Sequence, residues 1–233
     1  MVPSISVSFG SELVAYGLLA LYLYSGRKRY GLRTVLLFLF GSLFWTLILE
    51  NFGVLMNFFS YTGLNPSSRP SYLLWAGLTP FWISVGWFDI TFPVFMLLDS
   101  IIQKAGFWRK AMLGGIIAVS LDLAIDPAAT AFQLWRWTHP SLYFLGVPIT
   151  NYIAWFLLST FYLAVFESVH IGASISALIP FRTNYNERWV SDKVSGKTAV
   201  RLVSRLVVFQ AVFVAIYVPI LYSIASIGTL PGG

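Results

Sequence analysis

Long apolar runs separated by short polar breaks set the rhythm of this sequence. Runs at about residues 5–25, 35–59, 81–102, 108–126, 150–170 and 200–227 can each cross a bilayer, whose hydrocarbon core of roughly 30 Å takes about 20 apolar residues. No basic residue precedes the first run, so it reads as a retained helix rather than a secretory signal. Pro80 and Pro93 break the region 72–103. The third helix is therefore set at 81–102, after a re-entrant or interfacial stretch at 72–79. Pro93 cannot donate to the Asp89 carbonyl, which predicts a kink there, and Pro219 predicts another in the last helix. Ala111, Gly114, Gly115 and Ala118 give the fourth helix a small-residue side for close packing. Asn65-Pro66-Ser67-Ser68 reads as a loop. Neither a strand pattern nor an internal repeat is evident. The pattern predicts an all-α polytopic membrane helical bundle of about six transmembrane helices plus short interfacial helices, one integral membrane domain over 1–233.

Composition agrees. The chain is 58% hydrophobic and 10% charged, against about 45–50% and about 25% in soluble domains. Its net charge of +6 is spread over loops rather than gathered into a patch, which argues against nucleic acid. The absence of cysteine excludes disulfides and thiolate chemistry. The first, third and fifth connections carry four, three and six of the Lys and Arg residues, while the second and fourth carry only Arg69 and Arg136. By the positive-inside rule this predicts a multi-pass cell-membrane protein with both termini outside the cytoplasm.

The acids are placed differently. Only Glu187 and Asp192 fall in a basic loop; Glu12, Glu50, Asp89, Asp99, Asp122, Asp126 and Glu167 lie in or at the ends of helices. A charged Asp at the centre of a membrane helix costs roughly 2.5–3.5 kcal/mol on insertion scales, so each needs a partner or a function. In the six-helix arrangement Glu12, Glu50, Asp89, Asp122 and Asp126 share one half of the membrane, which suggests a single polar pocket. Arg136 is the one cation expected nearby, so most of these carboxyls should be neutral or hydrogen-bonded, and an Asp so placed can serve as a Brønsted acid. Asp122 and Asp126, at i and i+4, share a helix face.

Plainer roles compete. Asp126 before Pro127 reads equally well as the N-cap of a short helix over 127–135, whereas Asp122 has no such role. Trp135, Trp137 and Tyr143 suit interface anchors, and Asn151 suits a cap for the fifth helix. Asp89 can be a polar group beside a proline kink. Asp99 near Lys104 and Arg109 reads as a structural ion pair. Glu167 and His170 resemble half of a di-iron carboxylate site, but no second Glu-x-x-His exists and the other histidine is His139, so no metal site is expected.

The run Asp122-x-x-x-Asp126-Pro127, Trp135-x-Trp137, Tyr143, Gly146-x-Pro148-x-x-Asn151 and Trp155 resembles the signature of the carotenoid biosynthesis membrane proteins, whose members include carotenoid 1,2-hydratases. Glu50-x-x-Gly53 with Tyr61 is similar to that family's Glu-x-x-Gly segment, while Asn57-Phe58-Phe59-Ser60-Tyr61 replaces its Pro-Phe-Gly and Tyr-x-Tyr. The resemblance implies hydration, without metal or cofactor, of a terminal carbon-carbon double bond in a C40 to C50 polyene. Asp122 would be the acid, Glu50 or Asp126 the water-positioning base, and Asn151 a hydrogen-bonding partner. Trp135, Trp137, Tyr143, Asp89 and Glu12 would help bind substrate. The partners implied are the carotenoid, water and the bilayer, with room for a complex with other carotenoid enzymes.

Two other classes stay open at this point. The Asp-x-x-x-Asp pair is similar to that of intramembrane prenyltransferases, which use two such motifs, magnesium and nearby basic residues. Intramembrane acids also serve proton-coupled carriers, which need no chemistry of their own.

Overall fold

The computed structural model describes residues 5–62, 72–102, 105–139, 141–170 and 196–228. Each apolar run forms a helix: α1 Ile5–Tyr30, α2 Leu32–Leu55, α3 Phe81–Ile101, α4 Phe107–Ala131, α5 Ile149–His170 and α6 Gly196–Gly228. Among the described residues these six are long and apolar enough to cross a membrane. The chain is thus a mostly helical, multi-pass protein. The basic loop residues Arg182, Arg188 and Lys193, together with Arg69 and Lys104, lie outside the described residues.

Helix ends differ from the sequence pattern where backbone capping overrides hydrophobicity. α1 runs on to Tyr30, its last turn carrying Arg27, Lys28 and Arg29 beside the negative end of the helix dipole. α2 stops at Leu55 because Asn57 turns left-handed (φ 56°): its N–H donates to the Val54 carbonyl (3.0 Å) and that of Phe58 to Gly53 (2.9 Å). α4 does not stop at Asp126. Pro127 removes only the donor for the Leu123 carbonyl, and the helix continues to Ala131. It ends as α2 does, with Gln133 at φ 57° donating to Thr130 (3.0 Å) and Leu134 to Ala129 (2.9 Å). The short helix expected at 127–135 therefore does not form, and Asp126 is helix interior rather than an N-cap.

Among the described residues there are no short interfacial helices; three two-stranded antiparallel ribbons stand in their place, a correction to the expectation of no strands. β1 (Phe59–Tyr61) pairs with β4 (Trp135–Trp137), β2 (Trp75–Ala76) with β3 (Thr79–Pro80), and β5 (Tyr143–Phe144) with β6 (Val147–Pro148). Phe-Ser-Tyr and Trp-Arg-Trp are rich in strand formers but too short to show a two-residue period. The stretch expected at 72–79 as re-entrant or interfacial is the β2–β3 hairpin and its approach. Gly77 in its turn has φ +70° and faces the Asn51 side chain, which accepts from the Leu78 N–H (2.6 Å) and donates to the Ala76 carbonyl (3.1 Å).

These elements are two copies of one unit, a repeat that the sequence hides. α2–β1–β2–β3–α3 and α4–β4–β5–β6–α5 match element by element. Asn57 and Gln133 are equivalent left-handed caps, and Gly77 (φ 70°) and Leu145 (φ 53°) are equivalent positive-φ turn residues. Thr62 N–H donates to the Leu134 carbonyl (3.1 Å) while Thr138 N–H donates to Phe58 (3.0 Å); Phe81 N–H donates to Leu74 (2.9 Å) while Ile149 N–H donates to Leu142 (2.8 Å). β1 and β4 pair with Ser60 opposite Arg136, itself an equivalent pair. A pseudo-two-fold axis therefore passes through that point. α1 and α6 stand outside the repeat: α1 packs on α2 and α3, α6 on α5 and α2.

The core on the side of the basic loops is aromatic. Phe38 is fully buried, with its ring 4.5–5.9 Å from those of Phe88, Phe92, Phe95, Tyr162 and Phe166. Gly114 and Gly115 let α4 lie against α5: a Cβ at 114 would stand 2.3 Å from a Leu163 methyl, and one at 115 would stand 2.8 Å from the Phe156 carbonyl oxygen. Asp99 is in a structural ion pair as expected, but with Arg29 (3.0 Å) rather than Arg109, and it also accepts from Tyr30 (2.9 Å), because the α1 C-terminus packs over α3; Lys104, the other expected partner, lies outside the described residues. Glu167 forms a buried ion pair with Lys110 (2.7 Å), which explains it without a metal; the His170 side chain lies outside the described residues.

Candidate functional site

On the opposite side of the bundle, where the ribbons lie, a cavity of about 160 Å³ is walled by residues of α2, α3, α4, α5 and α6 and by the β1–β4 ribbon. Its lining inherits the repeat. Glu50 and Asp126 occupy equivalent positions, as do Phe59 and Trp135, Tyr61 and Trp137, Gly86 and Ala154, and Trp87 and Trp155, and all of them line it. Trp87 and Trp155 stack on each other with ring centroids 3.9 Å apart and planes 14° from parallel. The indole pair is where the two halves meet.

The two acids have different surroundings. Glu50 is held by neutral donors: the Tyr61 hydroxyl at 2.5 Å and the Trp87 indole N–H at 2.8 Å, one on each carboxylate oxygen. Burial, followed by the Glu50 carboxylate, pushes the Tyr61 hydroxyl well above its ordinary pKa, so it stays a donor. Asp126 instead lies beside a second carboxyl. The Asn151 amide nitrogen donates to Asp122 Oδ2 (3.1 Å) and to Asp126 Oδ2, so one NH₂ group ties both acids together. Asn151 is in the first turn of α5, where its side chain serves this pair rather than a cap. Asp122 is fully buried and stands one turn further from the ribbons, behind Asp126; it is not among the cavity's lining residues.

This asymmetry comes from side chains, not backbone. The position equivalent to Asp122 is Thr46, whose hydroxyl donates to the Ser42 carbonyl (2.9 Å), and the position equivalent to Asn151 is Ile83. One half thus carries a lone carboxylate held by neutral donors, and the other a pair of carboxyls sharing an amide. The arrangement suits a base facing an acid across an aromatic chamber.

Of the residues singled out from sequence, Glu50, Asp126, Asn151, Trp135 and Trp137 meet at this cavity, and Asp122 abuts it. The other three stand elsewhere. Glu12 is buried in α1, its carboxylate accepting from the Leu73 N–H (3.0 and 3.1 Å), which ties α1 to the approach of the β2–β3 hairpin. Asp89 is buried in α3, with no hydrogen-bond partner among the described residues. Tyr143 is half exposed on the β5–β6 hairpin, its hydroxyl donating to the His139 carbonyl (3.3 Å). The single shared pocket expected for five acids is therefore a site of three, because the α1 acid and Asp89 lie away from the cavity lining.

Sequence reasoning missed Trp87 and Phe213. Trp87 could have been found by matching the two hairpins, which sets it against Trp155; Phe213, from the long apolar α6, gave no signal. His139 also lines the cavity, its ring 5.3 Å from that of Phe58.

No curated protein and no solved structure matches this chain. A family profile described as carotenoid biosynthesis protein matches residues 9–228, which takes in all of the repeat, the cavity and both carboxylate positions. With nearly its whole length accounted for in this way, the chain belongs to the carotenoid biosynthesis protein family.

Proposed function

We propose that the protein adds water across a terminal carbon-carbon double bond of a long polyene, using the Asp122–Asp126 pair as proton donor and Glu50 as base. The observation that carries this is the pairing of unlike carboxyl environments at equivalent positions of one aromatic cavity. A chamber of about 160 Å³ suits only the end of such a substrate, since a cavity of about 150 Å³ takes a molecule the size of benzene.

In this reading Asp126, which lines the cavity, delivers its proton to the less substituted alkene carbon, and a tertiary cation forms on the neighbouring carbon. The faces of Trp87, Trp155 and Trp135 stabilise that cation. Water attacks it from the Glu50 side and gives up a proton to the carboxylate, so that one C–H and one C–O bond form and the net addition is one water. Return of that proton to the aspartate pair closes the cycle. Asp122 acts behind Asp126, sharing its proton through the contact that Asn151 fixes.

Expression in a host that accumulates a linear C40 polyene, followed by mass analysis of its pigments, tests the reading. A product heavier by one water is expected. An unchanged pigment profile, with the protein present and folded in the membrane, would refute it.

A further inference from the structure

The cavity holds only the end of a chain-like substrate, so the remainder must leave the bundle somewhere, and the broken symmetry of the fold shows where. The two-fold axis creates two equivalent gaps near the ribbons, one between α3 and α4, the other between α5 and α2. α6, which has no counterpart in the repeat, packs on α5 and α2 and puts Phe213 and Val214 into the cavity wall, filling the second gap. At the ribbon end of the first, Tyr72 bridges α3 and α4, its ring 6.0 Å from that of Trp82 and its hydroxyl donating to the Leu134 carbonyl (2.9 Å); below Tyr72, no residue of α1 lines the cavity.

The residues bordering the first gap agree. α3 and α4 meet in their halves nearest the basic loops, where Gly114 faces Leu98 and Val94. Nearer the ribbons, Ile125 of α4 lines the cavity yet is 38% exposed, whereas its equivalent Leu49, on the α2 side, is partly buried. On α3, Trp82, Gly86 and Ile90 recur every four residues along the cavity edge, and a Cβ built on Gly86 meets nothing within 4 Å. Farther along this side of α3, Leu97 is 45% exposed, as expected of a face turned to lipid.

Building on the polyene reading above, we propose that the gap between the ribbon-side halves of α3 and α4 is the lateral opening through which the apolar chain of the substrate passes from the bilayer to Asp126. The missing side chain of Gly86 keeps it open. A water-filled route from the ribbon side would serve a polyene poorly, because the long apolar chain would have to leave lipid to use it.

The test uses the full-length protein in lipid nanodiscs titrated with a linear C40 polyene, read as quenching of the cavity tryptophans. Wild type should quench saturably. Gly86→Leu and Ile125→Phe should each raise the half-saturating polyene-to-protein ratio at least about tenfold. Gly17→Leu is the control: it is on α1, and its added Cβ likewise meets nothing within 4 Å. It should bind as wild type does. Folded Gly86→Leu protein that binds like wild type would overturn the opening; if that variant fails to fold, Ile125→Phe decides in the same way. Saturable binding blocked by both variants supports the opening even if no hydrated product forms, in which case only the hydration reading falls. Absence of saturable quenching in wild type would overturn the polyene reading and the opening with it.

Discussion

Replacing Asp126 by Asn isolates the proton from the shape. Asn is nearly isosteric, and its carbonyl oxygen can still accept from the Asn151 amide that now binds Asp126. The backbone has no further claim on this side chain, because α4 passes through Pro127 and makes position 126 helix interior rather than an N-cap. Folded protein should therefore be recovered at close to the wild-type level. Activity should not. Removing a positioned general acid typically loses about 10² to 10⁴ in rate, equivalent to about 2.7–5.4 kcal/mol of transition-state stabilisation. Asp122→Asn should lose a similar factor even though Asp122 does not line the cavity, because the two carboxyls share one amide donor and act as one unit. The double variant should then be little worse than either single one, as expected for residues that function together. The assay is pigment conversion per unit of folded protein, with folding checked by detergent-solubilised yield and thermal unfolding. Wild-type conversion by folded Asp126→Asn protein would refute the mechanism. A double variant whose loss is the product of the two single losses would show that the acids act independently.

Other outcomes follow from other parts of the molecule. Lys110→Met, which leaves Glu167 buried without its 2.7 Å partner, should destabilise the protein by about 3–5 kcal/mol, and the double variant Lys110→Met/Glu167→Gln should recover most of that in thermal unfolding. Recovery of less than half would show that the pair does more than neutralise itself. Because proton transfer and water capture need only the carboxyls and polar side chains, conversion should be unaffected by a strong chelator; loss restored by magnesium would favour prenyl transfer. The distribution of Lys and Arg predicts that a cysteine at Phe144, half exposed on the ribbon side, is labelled by an impermeant thiol reagent in intact cells, while one at the exposed Lys28 is not. The reverse pattern would invert the orientation.

The number and placement of the helices could be read from the chain because burial in lipid imposes a condition on every residue of a span, so the signal accumulates over about 20 positions. Glu50, Asp122 and Asp126 stood out for the same reason: a carboxyl among apolar residues is costly enough to need an explanation wherever the chain goes. Cap geometry, by contrast, rests on one residue. Asn57 and Gln133 end their helices by adopting positive φ, and no hydrophobic pattern reports that, so the pattern carries α2 past its end at Leu55 and stops α4 short of Ala131. The β1–β4 ribbon was hidden because each strand is three residues long and its partner is 76 positions away. Tertiary structure alone decided that Glu50 faces the cavity with Asp126 while Glu12 and Asp89 do not, since membrane depth, which sequence gives, leaves the rotation of each helix and the choice of its neighbours open. It alone revealed the repeat as well. Equivalence survives in backbone turns and hydrogen bonds, whereas the side chains have diverged, Thr46 against Asp122 and Ile83 against Asn151. That divergence lets one symmetric frame hold two chemically different carboxylate stations.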